Sequence, residues 1–211
     1  MFHPALTDGD DRGQAHTLEA FVAAILLVAG LTFALQATAV TPLSASTSNQ
    51  HIENQHRAVA TDLLETSAVN GDLREAVLYW DPENETFAGT PEGSAFYTQG
   101  GPPTAFGDAL NRTFIESRIA VNVYVRYHLD GSQASDRMVF MGTPSDNAVT
   151  ASRTISVSDD TNLTAPGSEN VTLSDVDPAE ADEGDPRFYA PDAADGPTYN
   201  ELEVRIVAWR M

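Results

Sequence analysis

The sequence predicts an α+β fold class: a long N-terminal transmembrane helix, then a small extracellular domain of amphipathic helices packed on an antiparallel sheet. Three observations carry this. Ala20 to Val40 holds no charged side chain, apolar positions recur at helical spacing from Ile52 to Phe114, and from Ile119 the period falls to two. A helix-leading, strand-following order favours helices on one face of the sheet. The boundaries follow as a leader at 1–13, a membrane helix and kink at 14–43, and an extracellular domain at 44–211 with an acidic loop at 158–197.

The apolar segment comes first in the argument. At about 1.5 Å per residue, Ala20 to Val40 covers roughly 30 Å, the thickness of a bilayer's hydrocarbon. Its run has no polar face to turn to water, which argues against the core helix of a soluble domain. The leader holds Asp8, Asp10 and Asp11 against Arg12, whereas a cleaved secretory signal begins basic, so the helix is expected to stay as an anchor.

Thr41-Pro42 is expected to kink or end that helix, and Ser44 to Gln50 reads as a polar neck. A second helix follows, with Ile52, Val59, Leu63 and Thr66 as its apolar stripe, and Asn70-Gly71 stops it. Asp72 and Glu75 have capping-box spacing. They open a short helix with Leu73, Ala76, Val77 and Trp80 on one face, ending before Asp81-Pro82. Gly100-Gly101-Pro102-Pro103 breaks the chain ahead of a helix from Thr104 that places Phe106, Leu110 and Phe114 together.

Val121, Val123, Val125 and Tyr127 alternate with Asn122, Tyr124 and Arg126, the pattern of a half-buried strand. Asp130-Gly131 predicts a type I′ hairpin turn into Arg137–Met141. Val149–Val157 reads as a third strand. Leu202, Val204, Ile206 and Ala208 mark a fourth. The proline-punctuated, carboxylate-rich stretch from Ser158 to Pro197 reads as a solvated loop.

Composition narrows the function classes. The chain has 31 Asp and Glu against 11 basic residues, all of them Arg, for a formal net charge of −20. Such a surface suits molar salt, where screening lengths fall to about 3 Å and carboxylates stop repelling while still holding water. The same charge excludes a basic stripe for nucleic acid. The chain contains no cysteine, which removes disulfides, thiolate catalysis and Cys-based metal sites. Four sequons, at Asn84, Asn111, Asn162 and Asn170, all follow the span and are glycosylation candidates that favour an extracellular domain.

No catalytic constellation emerges. His51 and His56 lie on different sides of a helix and outside any His-Glu-x-x-His frame, and no Gly-x-Ser-x-Gly elbow or phosphate loop occurs. Counting from Asp175, the calcium-loop positions that require Gly and Glu are Glu180 and Pro186. The expectation is a protein without catalytic residues, metal or cofactor.

Arg12-Gly13-Gln14, followed by Glu19 and an apolar helix, resembles the class III signal of archaeal type IV pilins and archaellins. A prepilin peptidase cuts that signal between Gly and Gln. The resemblance implies that Gly13 ends the leader, that Gln14 becomes the N-terminus, and that Glu19 neutralises the N-terminal amine of a neighbouring subunit during assembly. The whole chain is also similar to the pilin-like single-span proteins of haloarchaeal genomes. The partners so implied are the membrane, a prepilin peptidase, and further copies or other pilin-like subunits. Glu19 stands sixth after the cut where the family glutamate is usually fifth, a rotation of about 100° on a helix. Three function classes therefore remain open: a subunit of a surface filament or secretion system, an unprocessed, signal-anchored surface protein acting as an accessory or adhesive binding module, and, behind these, an extracellular enzyme.

Overall fold

The computed structural model describes the backbone of residues 10–193 and 196–210, and the side chains among them other than those of 10–15 and 37–49. The chain divides into two compact units between His51 and Ile52. The first helix, α1, is assigned over Asp10–Asn70. Pro42 does not end it, and the expected second helix is the continuation of the first. A proline inside a helix removes one backbone hydrogen bond and disfavours the preceding turn, yet the bonds on either side can carry the helix past it.

Within the second unit, α1 buries Ala60, Leu63, Leu64 and Ser67, each at most 8% exposed. That stripe has i, i+3, i+4, i+7 spacing and replaces the expected one: Val59 is 36% exposed and Thr66 lies outside. Small residues at 60 and 67 permit close approach, and helix pattern cannot weigh this against a larger, wetter valine.

Helix α2 is Asp72–Val77, preceded by Gly71 as its cap. The capping box is not formed. Asp72 is already helical, and the Glu75 amide donates to the Gly71 carbonyl at 3.0 Å with no side-chain cap. Trp80 leaves the helix for a two-residue strand, β1 (Trp80–Asp81), which pairs antiparallel with β2 (Thr86–Phe87). The Asp81 carboxylate accepts from the Glu83 and Asn84 amides at 3.1 Å and so fixes the turn between them. Trp80 is buried edge-on against Phe87 and Tyr189 at 5.2 Å, an arrangement that adds to area burial.

Helix α3 is Ala105–Leu110, capped by the Thr104 hydroxyl, and it continues as a π turn over Asn111–Ile115. Phe106, Leu110 and Phe114 are all fully buried, as the spacing required. Two i+4 steps on a regular helix drift by about 40° each, and the wider turn winds back some of that drift. Gly107 has no room for a side chain, since a Cβ there would stand 1.8 Å from the Pro102 carbonyl oxygen.

The main sheet has strands β3 (Ile119–Leu129), β4 (Ser132–Phe140), β5 (Val149–Ser158) and β6 (Thr198–Arg210) in the antiparallel order β4-β3-β6-β5. Asp130 and Gly131 take φ of 48° and 75°, the left-handed pair a type I′ turn demands. Leu129 pairs directly with Ser132, so β4 begins five residues before the expected Arg137. Its first residues are polar and mostly exposed, which hid them from hydrophobic patterning.

Val121, Val123, Val125, Leu202, Val204, Ile206 and Ala208 line the inner face of the sheet, 0% exposed. Asn122 departs from the expected alternation by being fully buried on the outer side. Its side chain donates to the Gly142 carbonyl at 2.9 Å and accepts from the Met141 amide at 2.8 Å, so burial leaves it satisfied. Asn200 does similar work at the far end of the ladder. It exchanges two hydrogen bonds with the His128 backbone, at 3.1 and 3.2 Å, in place of a strand partner, and donates to the Pro191 carbonyl at 2.8 Å.

The segment between β5 and β6 carries a single 3-10 turn, Ser174–Val176, and a bridge between Asn162 and Thr172. It is largely loop, but the expectation that it is merely solvated fails. Leu163, Leu173, Val176, Phe188 and Ala190 are at most 2% exposed and join the core. Prolines and carboxylates dominate its composition, and five scattered apolar residues give no period to detect.

Candidate functional site

Two features stand out: the apolar part of α1 and a cleft at the end of the main sheet. His16–Gln36 spans 21 residues with a mean hydropathy of 2.3, and none of it is buried. Leu18, Phe21, Ile25, Leu26, Leu27, Phe33 and Leu35 are each 51 to 76% exposed and point around the whole helix. Each such side chain left in water costs about 1.5 to 3 kcal/mol relative to burial. Among the described residues this is the one helix long and apolar enough to cross a membrane. The Thr32 hydroxyl within it donates to the Val28 carbonyl at 2.7 Å, a local bond that spares it an unsatisfied donor.

Glu19 lies at the start of this segment, its carboxylate 3.7 Å from His16 Nδ1, with the two side chains 81% and 83% exposed. A pair so open contributes little, so no described side chain neutralises Glu19 strongly. Arg12, Gly13 and Gln14 fall within α1, but their side chains are not among those described. Residues 1–9 of the leader lie outside the described residues.

The sequons differ in setting. Asn84 is exposed in the β1–β2 turn, its amide donating to Asp81 at 2.8 Å. Asn170 is exposed, Asn162 is exposed but donates to the Glu169 carbonyl at 2.8 Å, and Asn111 is half-buried in the π turn. The acidic residues do not converge: among the described residues no group of three His, Asp or Glu could hold a metal. Asp175 instead accepts the Thr172 hydroxyl at 2.6 Å and amide at 2.9 Å, bonds that lower its pKa.

The cleft, about 750 Å³, lies between the hairpin residues Tyr127–Gly131 and the chain at Pro178, Ala179, Tyr189 and Pro191. Tyr127 and Tyr189 contribute rings 5.7 Å apart. Their hydroxyls are engaged, Tyr127 to Asp136 at 3.0 Å and Tyr189 to the Val77 carbonyl at 3.1 Å. Burial raises the Tyr127 pKa, with the Asp136 charge adding to it, and burial likewise raises Asp136, opposed by the hydrogen bond from Tyr127. Sequence reasoning missed this pair. The hairpin register supplies the signal, because Tyr127 faces Ala134 and Asp136 follows two residues later on the same side.

The arrangement offers an aromatic wall and hydrogen-bonding groups, suited to holding a ligand. No curated protein and no solved structure matches the chain. Residues 12–208 match a sequence family described as a family of unknown function (DUF7288), so the match takes in the Arg12-Gly13-Gln14 motif, the apolar helix and nearly all of the folded domain. The chain belongs to that family.

Proposed function

We propose that the protein is a pilin-like subunit, or minor component, of an archaeal cell-surface filament or secretion system, anchored as a precursor by α1, with its folded domain outside the cell. One observation carries the reading: a wholly unburied apolar helix, His16–Gln36, is headed by Arg12-Gly13-Gln14 and an open carboxylate at Glu19. A helix apolar all round suits lipid first and the helices of other copies afterwards. Four sequons after the span, and a lysine-free chain of net charge −20, support an outward-facing domain in a salt-rich medium. The role is structural, without catalysis.

The Tyr127–Tyr189 cleft and the sixth position of Glu19 favour a second reading, an anchored surface module that is never cleaved. N-terminal sequencing of protein purified from native membranes separates the two. A mature chain beginning at Gln14 is expected, and one beginning at Met1 or Phe2 rejects the pilin-like reading. Glu19→Gln then tests assembly. It should leave insertion intact and sharply reduce the high-molecular-weight material sheared from cells.

A further inference from the structure

The outer face of the main sheet carries a cluster of donors without acceptors. Register sets Arg137 on β4 and Arg205 on β6 on either side of Tyr124 on β3, two strand spacings or about 10 Å apart. The Arg137 guanidinium lies 4.7 Å from the Phe140 ring centre and 5.8 Å from that of Phe96, a stacking that orients it while leaving its N–H groups free. Arg205 Nε is buried with no hydrogen-bond partner. The Tyr124 hydroxyl accepts from Asn122 at 3.1 Å and keeps its own proton to donate. Arg126, in the next row, is already paired with Glu203 at 2.9 Å. Among the described arginines only Arg126 and Arg153 form ion pairs with carboxylates, in a chain that holds 31 of them.

Matching acceptors exist elsewhere on the same chain, in the segment between β5 and β6. Glu180, Asp182 and Glu183 are exposed, and none of their carboxylates is hydrogen-bonded to a described residue. The donors lie on the outer face, whereas the carboxylates belong to a segment anchored through Val176 and Phe188 in the core against the opposite face. The two surfaces are distinct, so a contact between them joins unlike patches of two copies.

We propose that the outer face receives the 180–183 segment of a second copy, guanidinium to carboxylate, as a head-to-tail contact that repeats from subunit to subunit. Contacts of this heterologous kind propagate into open filaments when the rotation between copies does not close, and Arg matches carboxylates with paired N–H donors. Molar salt assists. With a screening length of about 3 Å, copies of strongly like charge can approach while short-range pairs persist. The proposal rests on the filament reading and adds to it a contact between folded domains.

Complementary variants of the full-length chain in detergent at molar KCl test this, with mass followed by sedimentation. The face variant is Arg137→Glu/Arg205→Gln and the segment variant is Asp182→Arg/Glu183→Arg, each checked for an unchanged thermal midpoint. If the face variant unfolds, Arg137→Glu alone, at an exposed position, carries the same test. Each variant by itself should associate at least tenfold more weakly than the parent chain. Mixed one to one, they should form pairs that stop at two copies, because each retains the half the other lacks. A monomeric parent chain, undiminished association of either variant, or a mixture that fails to pair would overturn the proposal. Association through the helix is scored separately with Glu19→Gln, which should weaken assembly there while leaving the one-to-one pairing of the two variants intact.

Discussion

The apolar segment His16–Gln36 and the folded unit from Ile52 onward solve opposite problems with the same side chains. In the first, leucines and phenylalanines are 63 to 76% exposed around a single helix, whereas in the second Leu64, Phe87, Phe106 and Phe188 are at most 2% exposed. Placement differs because the surroundings differ. The helix closes its own backbone hydrogen bonds and needs only an apolar medium, while the domain must make its own apolar interior from residues distant in sequence. The first arrangement tolerates many substitutions, and the second depends on particular shapes.

Truncation should show the contrast most strongly. Phe106→Ala, at a fully buried position, is expected to cost about 3 to 5 kcal/mol, read as a drop in the domain's thermal midpoint. Phe33→Ala, at a side chain 76% exposed, should leave that midpoint unchanged. Comparable losses at both positions would break the comparison.

Charge should invert the ranking. Ile25→Arg, near the middle of the apolar segment, is expected to cost about 2.5 to 3.5 kcal/mol in insertion, seen as a fall in the membrane-bound fraction by flotation. The folded domain should melt as before. A variant that floats like the parent chain would show that this segment does not partition as a span.

Asn200→Ala probes a buried polar bond within the domain. It leaves the His128 amide and carbonyl and the Pro191 carbonyl without partners, so a loss of about 1 to 3 kcal/mol is expected. Hydrogen exchange at His128 should rise with it. No change in either would mean that water replaces the side chain at no cost.

The smallest effect is a pH dependence. Burial pushes the Asp136 carboxyl above its ordinary 3.8 in the folded state. The stability this lends is fully present below 3.8 and is lost as pH rises through the folded value. Asp136→Asn keeps an acceptor for the Tyr127 hydroxyl and removes the titration. Its midpoint should therefore gain on the parent's as pH climbs out of that window. A constant difference between the two would exclude Asp136 as the titrating group.

Much of the domain was legible because its signals are local. Phe106, Leu110 and Phe114 lie on one helical face by spacing alone, and Asp130-Gly131 names its own turn through the left-handed backbone it needs. Other features were hidden because their cause is remote. Trp80 joins a strand, not a helix, since Phe87 and Tyr189 wait beside it, and Val59 yields its place to Ala60 because close packing there prefers the smaller residue. The Tyr127–Asp136 pair and the cleft beside it needed the hairpin to bring two strands together.

By itself the sequence determined the membrane-length apolar helix, the acidic and lysine-free surface, the hairpin and the alternation of the central strands. Each of these follows from neighbours within a few residues or from composition, and no distant partner is needed to fix it. Only the tertiary structure decided that the acidic segment lends five side chains to the core, that Asn122 and Asn200 are buried and satisfied, and that Arg137, Tyr124 and Arg205 share one open face. Those outcomes depend on which surfaces meet when the sheet closes over its core, and the energy that selects among them comes from contacts between residues far apart along the chain.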